Sequence, residues 1–417
     1  MNQEIKEKAN YCLNCKTKPC ALKGCPLGNN IPEFITQIKE ENYKKAYEIL
    51  SKTTVLQGVC GRICPHEKQC QGACVRGIKS KPVSIGDLEA YVFDMMAEEK
   101  ESLLEIYKEE MESKKTNKKV AIIGGGPAGL TCAAFLAKEG INVTIYEKYD
   151  YLGGLLIHGI PEFRLPKKIV RQTVEKILEL GIKVEYKKQL GKNLFIQDLE
   201  KKYDAIFLSI GANSSTKMGV EGEEKDNVFG GNELLEYKFH PNYEGKKVAI
   251  VGGGNVAMDC ARTIKSLGAK EVKVIYRRAR EQMPAEDKEI EEAIEEGVEF
   301  LFQNNIVKIK DNNKVELIKT KLVQKEDSDR LVPVNVENSN YEIDMDYIVM
   351  ALGSKPEEYV SKLNLDLNKW GNIQIDEKYR TSNKKIYAGG DLAGIKGTIA
   401  FAANSGKKAA KAILENI

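Results

Sequence analysis

Eight of the ten cysteines lie within the first 74 residues: Cys12, Cys15, Cys20, Cys25, Cys60, Cys64, Cys70 and Cys74. Their spacings are C-x2-C-x4-C-x4-C-P and C-x3-C-P-x4-C-x3-C. Clustered thiolates are soft ligands, so they point to zinc or iron–sulfur rather than to disulfides. Zinc ribbons repeat C-x2-C pairs, and only Cys12 and Cys15 form one here. The prolines after Cys25 and Cys64 match the Cys-Pro ends of ferredoxin motifs, and eight cysteines suffice for two four-iron clusters.

Two glycine-rich turns form the second constellation. Gly124-Gly125-Gly126-Pro127-Ala128-Gly129 fits G-x-G-x-x-G, and Glu147 follows 23 residues after Gly124. Such a turn lets a pyrophosphate approach the backbone and face a helix N-terminus, while the carboxylate bonds a ribose hydroxyl. The expected ligand is the adenosine half of FAD or NAD. Gly252-Gly253-Gly254-Asn255-Val256-Ala257 fits the variant ending in Ala. At the end of its second strand stand Arg277 and Arg278 in place of an acid. Guanidinium groups bind a 2′-phosphate that a carboxylate would repel, so NADPH is expected there over NADH.

The elements that must position these residues follow from periodicity. Residues 31–50 and 84–111 have helical apolar spacing, the latter with Ser84 as N-cap. The polar run 111–119 reads as a linker. Residues 120–123, a helix to Lys138, and 142–146 make a strand–helix–strand unit. Residues 248–251, 256–267 and 272–276 repeat it about 130 residues later. An acidic helix over 286–296, antiparallel strands over 298–324, a strand at 347–352, a strand into a turn at 386–391 and a helix from about Thr398 complete the reading.

A formal net charge of +3 over 417 residues gives no reason to expect nucleic acid or a membrane surface as partner. No run is apolar enough to span a bilayer, and the N-terminus lacks the apolar core of a signal peptide. A cytoplasmic location is expected. Cys132 and Cys260 read as small buried packers rather than as the redox pair of a disulfide reductase. His66, His158 and His240 are expected to carry no chemistry, with His66 exposed.

Taken in order, the chain resembles the small (beta) subunit family of bacterial NADPH glutamate synthase. Related proteins are the large subunit of NADH-dependent ferredoxin:NADP oxidoreductase, the sulfide dehydrogenase flavoprotein and the N-terminal half of dihydropyrimidine dehydrogenase. The resemblance rests on the cysteine spacings, LGGLLIHGIPEFRLPK at 152–167, GGGNVAMD at 252–259, YRRAREQMPA at 276–285 and the turn Gly389-Gly390-Asp391. It implies an α/β fold: two Rossmann-like dinucleotide-binding domains, for FAD and NADPH, preceded by an α-helical domain with two 4Fe-4S clusters. The implied domains are iron–sulfur at 1–113, FAD at 114–240 and 353–417, and an inserted NADPH domain at 241–352. The implied activity is electron transfer between NADPH, FAD and the clusters, to or from a larger or second redox subunit.

Residue by residue, the Gly124 loop, Glu147 and Lys148 would hold the FAD adenosine end. Gly153, Gly154, Ile160, Arg164 and Gly211 would lie along the flavin. Gly390 and Asp391 would meet the ribityl–pyrophosphate region, and the stretch after Gly397, with Thr398, would close over the ring. Gly252, Gly254, Asn255, Val256, Arg277 and Arg278 would hold NADPH. By the same resemblance Cys12, Cys15, Cys20 and Cys74 would hold one cluster, and Cys25, Cys64 and Cys70 the other with Glu89. A plain count instead makes Cys60 the eighth ligand and Glu89 a surface acid; the resemblance favours Glu89. Nothing resembles a glutaminase or a 2-oxoglutarate site, so the terminal acceptor or donor is expected on a partner or a diffusible molecule.

Overall fold

The apolar spacing over 31–50 resolves into two helices, Ile31–Lys39 and Tyr43–Ser51, parted at Glu41, whose φ is +58°. The segment expected as one helix over 84–111 likewise divides into Ile85–Glu98 and Leu103–Ser113, with Lys100 at φ +55° between them. Both breaks fall in short polar runs, 39–42 and 98–102, which read equally well as the exposed turn of a continuing amphipathic helix. The expected linker begins only after Ser113, and Ser84 makes no side-chain cap bond.

The computed structural model describes residues 3–100, 102–325, 328–395 and 397–417, with backbone only at 325 and 328–330. It divides into two compact units. The first comprises Met1–Ile157, Glu162–Ala212 and Pro356–Ile417; the second comprises His158–Pro161 and Asn213–Lys355.

The first unit holds the cysteine-rich helices and a five-stranded parallel sheet. Its strand order is Ile386–Ala388, Ala205–Leu208, Lys119–Ile123, Asn142–Tyr146, Lys183–Glu185. Val120 to Ile123 are all buried, as a central strand covered on both faces requires. Helices Pro127–Lys138 and Ile399–Leu414 pack against each other, and a Cβ on Gly406 would lie 2.1 Å from the Ala128 carbonyl oxygen.

The second unit has its own five-stranded parallel sheet, ordered Val228–Gly230, Tyr347–Met350, Lys247–Val251, Glu271–Tyr276, Glu299–Phe302. Alternate residues of Lys247–Val251 feed two cores: Val248 and Ile250 meet Ile264, and Ala249 and Val251 meet Val315 and Leu317. An antiparallel group, Asn304–Ile309, Lys314–Lys325, Ser328–Asn335 and Tyr341–Asp344, lies beside it in sequence. Residues 299–302 thus join the parallel sheet, not the antiparallel strands expected from 298 onward. A half-buried edge strand alternates in the same way, so the pattern did not separate the two cases. The chain crosses between units at 157/158, 161/162, 212/213 and 355/356. The three-residue strand Val228–Gly230 precedes the second glycine turn and carries no motif of its own.

Candidate functional site

Backbone constraints near the prolines aim the thiols. Cys20–Gly24 closes as one π-helical turn, with the Cys25 N–H donating to the Cys20 carbonyl at 2.8 Å. Cys25 and Cys64, each before a proline, are forced into extended backbone at φ/ψ of −84°/116° and −63°/144°. Cys64 therefore leaves the end of helix Gln57–Ile63, while Cys60 stays within it. That helix crosses Ile85–Glu98 closely: a Cβ on Gly61 would lie 2.5 Å from the Ala90 nitrogen. The close crossing carries Glu89 to the thiols.

Cys12, Cys15, Cys20 and Cys74 line one pocket, with Ile31, Ile35 and Ile85 among its apolar walls. Cys25, Cys60, Cys64, Cys70 and Glu89 form a second group, in which Cys64 hydrogen-bonds Cys60 and Glu89 acts electrostatically on Cys25, Cys64 and Cys70. Burial pushes the Cys20 and Cys25 thiols up to about 11 and Cys70 further up. The bond to Cys60, then burial, raises Cys64 well above the usual thiol range. Burial lifts Glu89 to about 8 even though Asn29 Nδ2 donates to its Oε1 at 3.4 Å. Glu89 is 5% exposed and so is not a surface acid. Both Glu89 and Cys60 stand beside the three remaining thiols.

Buried acidic groups in this number are costly to ionise without a cation, and their donor chemistry suits iron. Among the described residues, no three His, Cys, Asp or Glu side chains stand close enough to hold a single metal ion. Soft thiols spread around a pocket fit a multi-iron cluster instead.

At the first glycine turn the three glycines divide the work. A Cβ on Gly129 would lie 2.0 Å from the Gly124 carbonyl oxygen, so Gly129 serves packing. On Gly126, at φ −79°, a Cβ would meet nothing nearer than Gly154 Cα at 4.0 Å. That open cradle fits a pyrophosphate. Pro127 and Ala128 open the helix that points at it. Glu147 is buried, accepting from Gly125 N–H at 2.8 Å and Tyr149 N–H at 3.1 Å; burial raises its carboxyl. Lys148 Nζ reaches Glu357 Oε1 at 3.3 Å.

Gly153 donates its N–H to the Gly125 carbonyl at 2.8 Å, which brings Gly153 and Gly154 to the turn. Gly390 lies against Ala128 and donates its N–H to Ser405 Oγ at 2.9 Å. Its neighbour Asp391 is raised by burial. Gly211, at φ +77°, follows strand Ala205–Leu208. Arg164 is half-buried in the first unit, whereas Ile160 falls in the second. The Thr398 hydroxyl caps helix Ile399–Leu414 by accepting from Phe401 N–H.

In the second unit, Gly252 at φ +140° passes the Ala351 carbonyl oxygen, which a Cβ would approach to 2.2 Å. Gly254 is open, with Pro284 Cγ 3.8 Å from a Cβ position. Asn255 Oδ1 accepts from Glu286 N–H at 3.2 Å, and Val256 packs on the core. Thr320 Oγ1 donates to the Arg277 carbonyl and Gln303 N–H to that of Arg278, which fixes the main chain there. Arg277 is exposed. Arg278 Nε and Gln282 Oε1 are buried without a hydrogen-bond partner among the described residues. A buried guanidinium donor left unpaired by the protein beside a glycine-turn unit fits a phosphate ligand.

Cys132 and Cys260 are fully buried in separate units, and burial pushes both thiols well up. His66 is half-buried rather than exposed, its Nε2 3.0 Å from the Cys60 carbonyl oxygen. His158 is buried, and His240 Nδ1 bonds Tyr243 OH at 3.2 Å. Sequence reading missed Asn29, Thr53, Ser405 and Lys407, which act through contacts distant in sequence and carry no motif.

Residues 118–409 match the family model described as pyridine nucleotide-disulphide oxidoreductase. Residues 1–101 match the model described as dihydropyrimidine dehydrogenase domain II, 4Fe-4S cluster. The glutamate synthase (NADPH) small chain of Escherichia coli (strain K12) is 34% identical over 436 residues, covering 99% of this chain and 91% of that protein. The NADPH-Fe(3+) oxidoreductase subunit beta of Geobacter sulfurreducens (strain DL-1 / KN400) is 36% identical over 371 residues, 86% of this chain and 54% of that protein. Among solved structures, FprA of Mycobacterium tuberculosis in complex with NADPH aligns with a TM-score of 0.65 at 17% identity, over 72% of this chain and 85% of that one, a likeness of fold. No described helix is long and apolar enough to cross a membrane.

Proposed function

The chain belongs to the pyridine nucleotide-disulphide oxidoreductase family and, across its length, to the glutamate synthase small-chain family, and we propose that it moves electrons between NADPH and a partner protein through FAD and two 4Fe-4S clusters. It is an NAD(P)H oxidoreductase of the electron-transfer type. The carrying observation is that eight buried or half-buried cysteines, joined by Glu89, converge in two groups within the unit that also holds the first glycine turn. FAD, when bound, accepts an electron pair as hydride and releases electrons singly to iron–sulfur clusters, which carry one each.

This chain's residues bind and orient. The Gly126 cradle and the helix behind it hold the pyrophosphate, Glu147 the ribose, and Asp391 the ribityl end. Glycines 153 and 154 keep the backbone low where the flavin lies, with Arg164 and Gly211 along it. Gly252, Gly254 and Asn255 hold the nicotinamide nucleotide, and Arg277 and Arg278 bind its 2′-phosphate. Cys12, Cys15, Cys20 and Cys74 hold one cluster; Cys25, Cys64, Cys70 and Glu89 hold the other, with Cys60 beside it. By function the chain then reads as iron–sulfur (1–113), FAD (114–240 and 353–417) and NADPH (241–352) segments, in the cytoplasm.

The partner docks at the mouth of the first thiol pocket. Two of the segments that line it, 12–25 and 74–82, carry Lys16, Lys18, Lys23, Arg76, Lys79 and Lys81 and no carboxylate, while helix Ile31–Lys39, which also lines it, carries Glu33. Between these cations Leu22 and Ile78 are each 77% exposed. Apolar centres rimmed by one sign of charge suit a protein with an acidic docking face.

Anaerobic titration of the purified protein tests the reading. Sub-stoichiometric NADPH is expected to bleach a flavin band over a broad iron–sulfur background, with NADH less effective. Arg278→Ala is expected to raise KM for NADPH about tenfold or more, the worth of a charged hydrogen bond, and to leave NADH unchanged. Equal response to both nucleotides sinks the NADPH assignment. Absence of both flavin and iron sinks the function.

A further inference from the structure

We propose that Lys407 sets the reduction potential of the cluster held by Cys25 and fixes the loop that ligates it. The proposal rests on the reading that Cys25, Cys64 and Cys70 hold iron.

Lys407 lies on helix Ile399–Leu414, 380 positions after Leu27. Its Nζ donates to the Leu27 carbonyl at 2.6 Å and to the Thr53 carbonyl at 3.3 Å. Both partners lead to the thiol group. The Asn29 and Leu27 backbone N–H groups act on the Cys25 thiol and lower it against the effect of burial. Thr53 Oγ1 donates to Asn29 Oδ1 at 2.7 Å, and Asn29 Nδ2 donates to Glu89 Oε1 at 3.4 Å. One ammonium therefore holds the two strands of chain that aim donors at Cys25 and Glu89. Two residues earlier, Ser405 accepts from Gly390 N–H, beside the proposed FAD ligand Asp391. A single helix thus contacts both the proposed flavin turn and the cluster loop.

The electrostatics has a definite sign. Reduction adds one negative charge to a cluster, so a nearby cation and N–H···S bonds favour the reduced form. Losing Lys407 removes a charge and loosens the donors, and both effects lower the potential. Lys407 touches neither substrate nor iron; it is a positioning residue.

The test uses full-length, anaerobically purified protein, titrated electrochemically while the reduced-cluster EPR signals and the flavin absorbance are followed. In Lys407→Met, the midpoint of one cluster is expected to fall by about tenfold in its reduction equilibrium, 59 mV for one electron. The flavin and the other cluster should hold their values, and Lys407→Arg should restore the wild-type midpoint. If Lys407→Met loses iron, Lys407→Gln, which keeps an N–H donor without the charge, carries the test of charge. An unshifted midpoint in iron-replete Lys407→Met or Lys407→Gln overturns the proposal, as does an equal shift of both clusters. Wild-type protein with no iron–sulfur EPR signal would instead overturn the function reading beneath it.

Discussion

At Gly126 and Gly129 the same substitution has opposite consequences, because one glycine faces a ligand cradle and the other a carbonyl. Gly126→Ala adds a methyl at ordinary backbone angles with nothing closer than 4.0 Å. The protein should keep its melting temperature but lose FAD affinity, by tenfold or more if the methyl displaces a phosphate contact worth about 1.4 kcal/mol. Gly129→Ala drives its methyl to 2.0 Å from the Gly124 oxygen, so it should cost about 1–3 kcal/mol of stability through overpacking. Flavin content after gel filtration and thermal melting separate the two; equal melting temperatures for both variants would contradict this division. Both glycines were legible in the motif. The motif also gives the second glycine to the ligand and the third to packing; the tertiary structure added the distances, 4.0 Å to Gly154 Cα and 2.0 Å to the Gly124 oxygen.

Among the elements, helix Pro127–Lys138 ends in a buried cation that ties it to two helices of the cysteine-rich segment. Lys138 Nζ donates to the Ser51 carbonyl, at the end of Tyr43–Ser51, at 2.7 Å. It also lies 4.0 Å from the ring centroid of Tyr107 on Leu103–Ser113. Burial pushes its ammonium down to about 7 from 10.5. Between those values the unfolded chain binds more protons than the folded one, so this residue makes stability rise with pH. The difference in stability between wild type and Lys138→Met should therefore shift in favour of wild type from pH 7 to 9, by up to about 1.4 kcal/mol per pH unit. Chemical denaturation at each pH measures it, and a pH-independent difference would refute the assignment. Helices and strands around both glycine turns were readable from periodicity. The breaks at Glu41 and Lys100 were not, since a polar run of four or five residues can equally be the exposed turn of one continuing amphipathic helix.

For the whole molecule, insertion and docking are the questions. The chain leaves the first sheet after Ala205–Leu208, builds the second unit, and returns as Ile386–Ala388 beside the strand it left. The proposed docking face belongs wholly to the first unit. Lys16→Glu/Lys23→Glu/Lys79→Glu should cut electron transfer to an acidic bacterial ferredoxin about tenfold or more at low salt, with the gap closing as ionic strength rises. Transfer to a small neutral quinone and flavin bleaching by NADPH should stay at wild-type rates. If quinone reduction falls equally, the charges act on the clusters and not on docking.

Residue type and spacing by themselves determined the chemistry: clustered thiols before prolines, two glycine turns, and arginines in place of the second acid. These signals are local, because a turn, a helix start or a ligand pair is built from neighbours in the chain. Tertiary structure alone decided that Glu89 is buried beside Cys25, Cys64 and Cys70, that strand Glu299–Phe302 joins the parallel sheet, and that Lys407 grips the Cys25 loop. Each of these depends on close packing between segments tens to hundreds of residues apart. Such packing is set by which surfaces exclude water and each other, and leaves no periodic trace in the sequence.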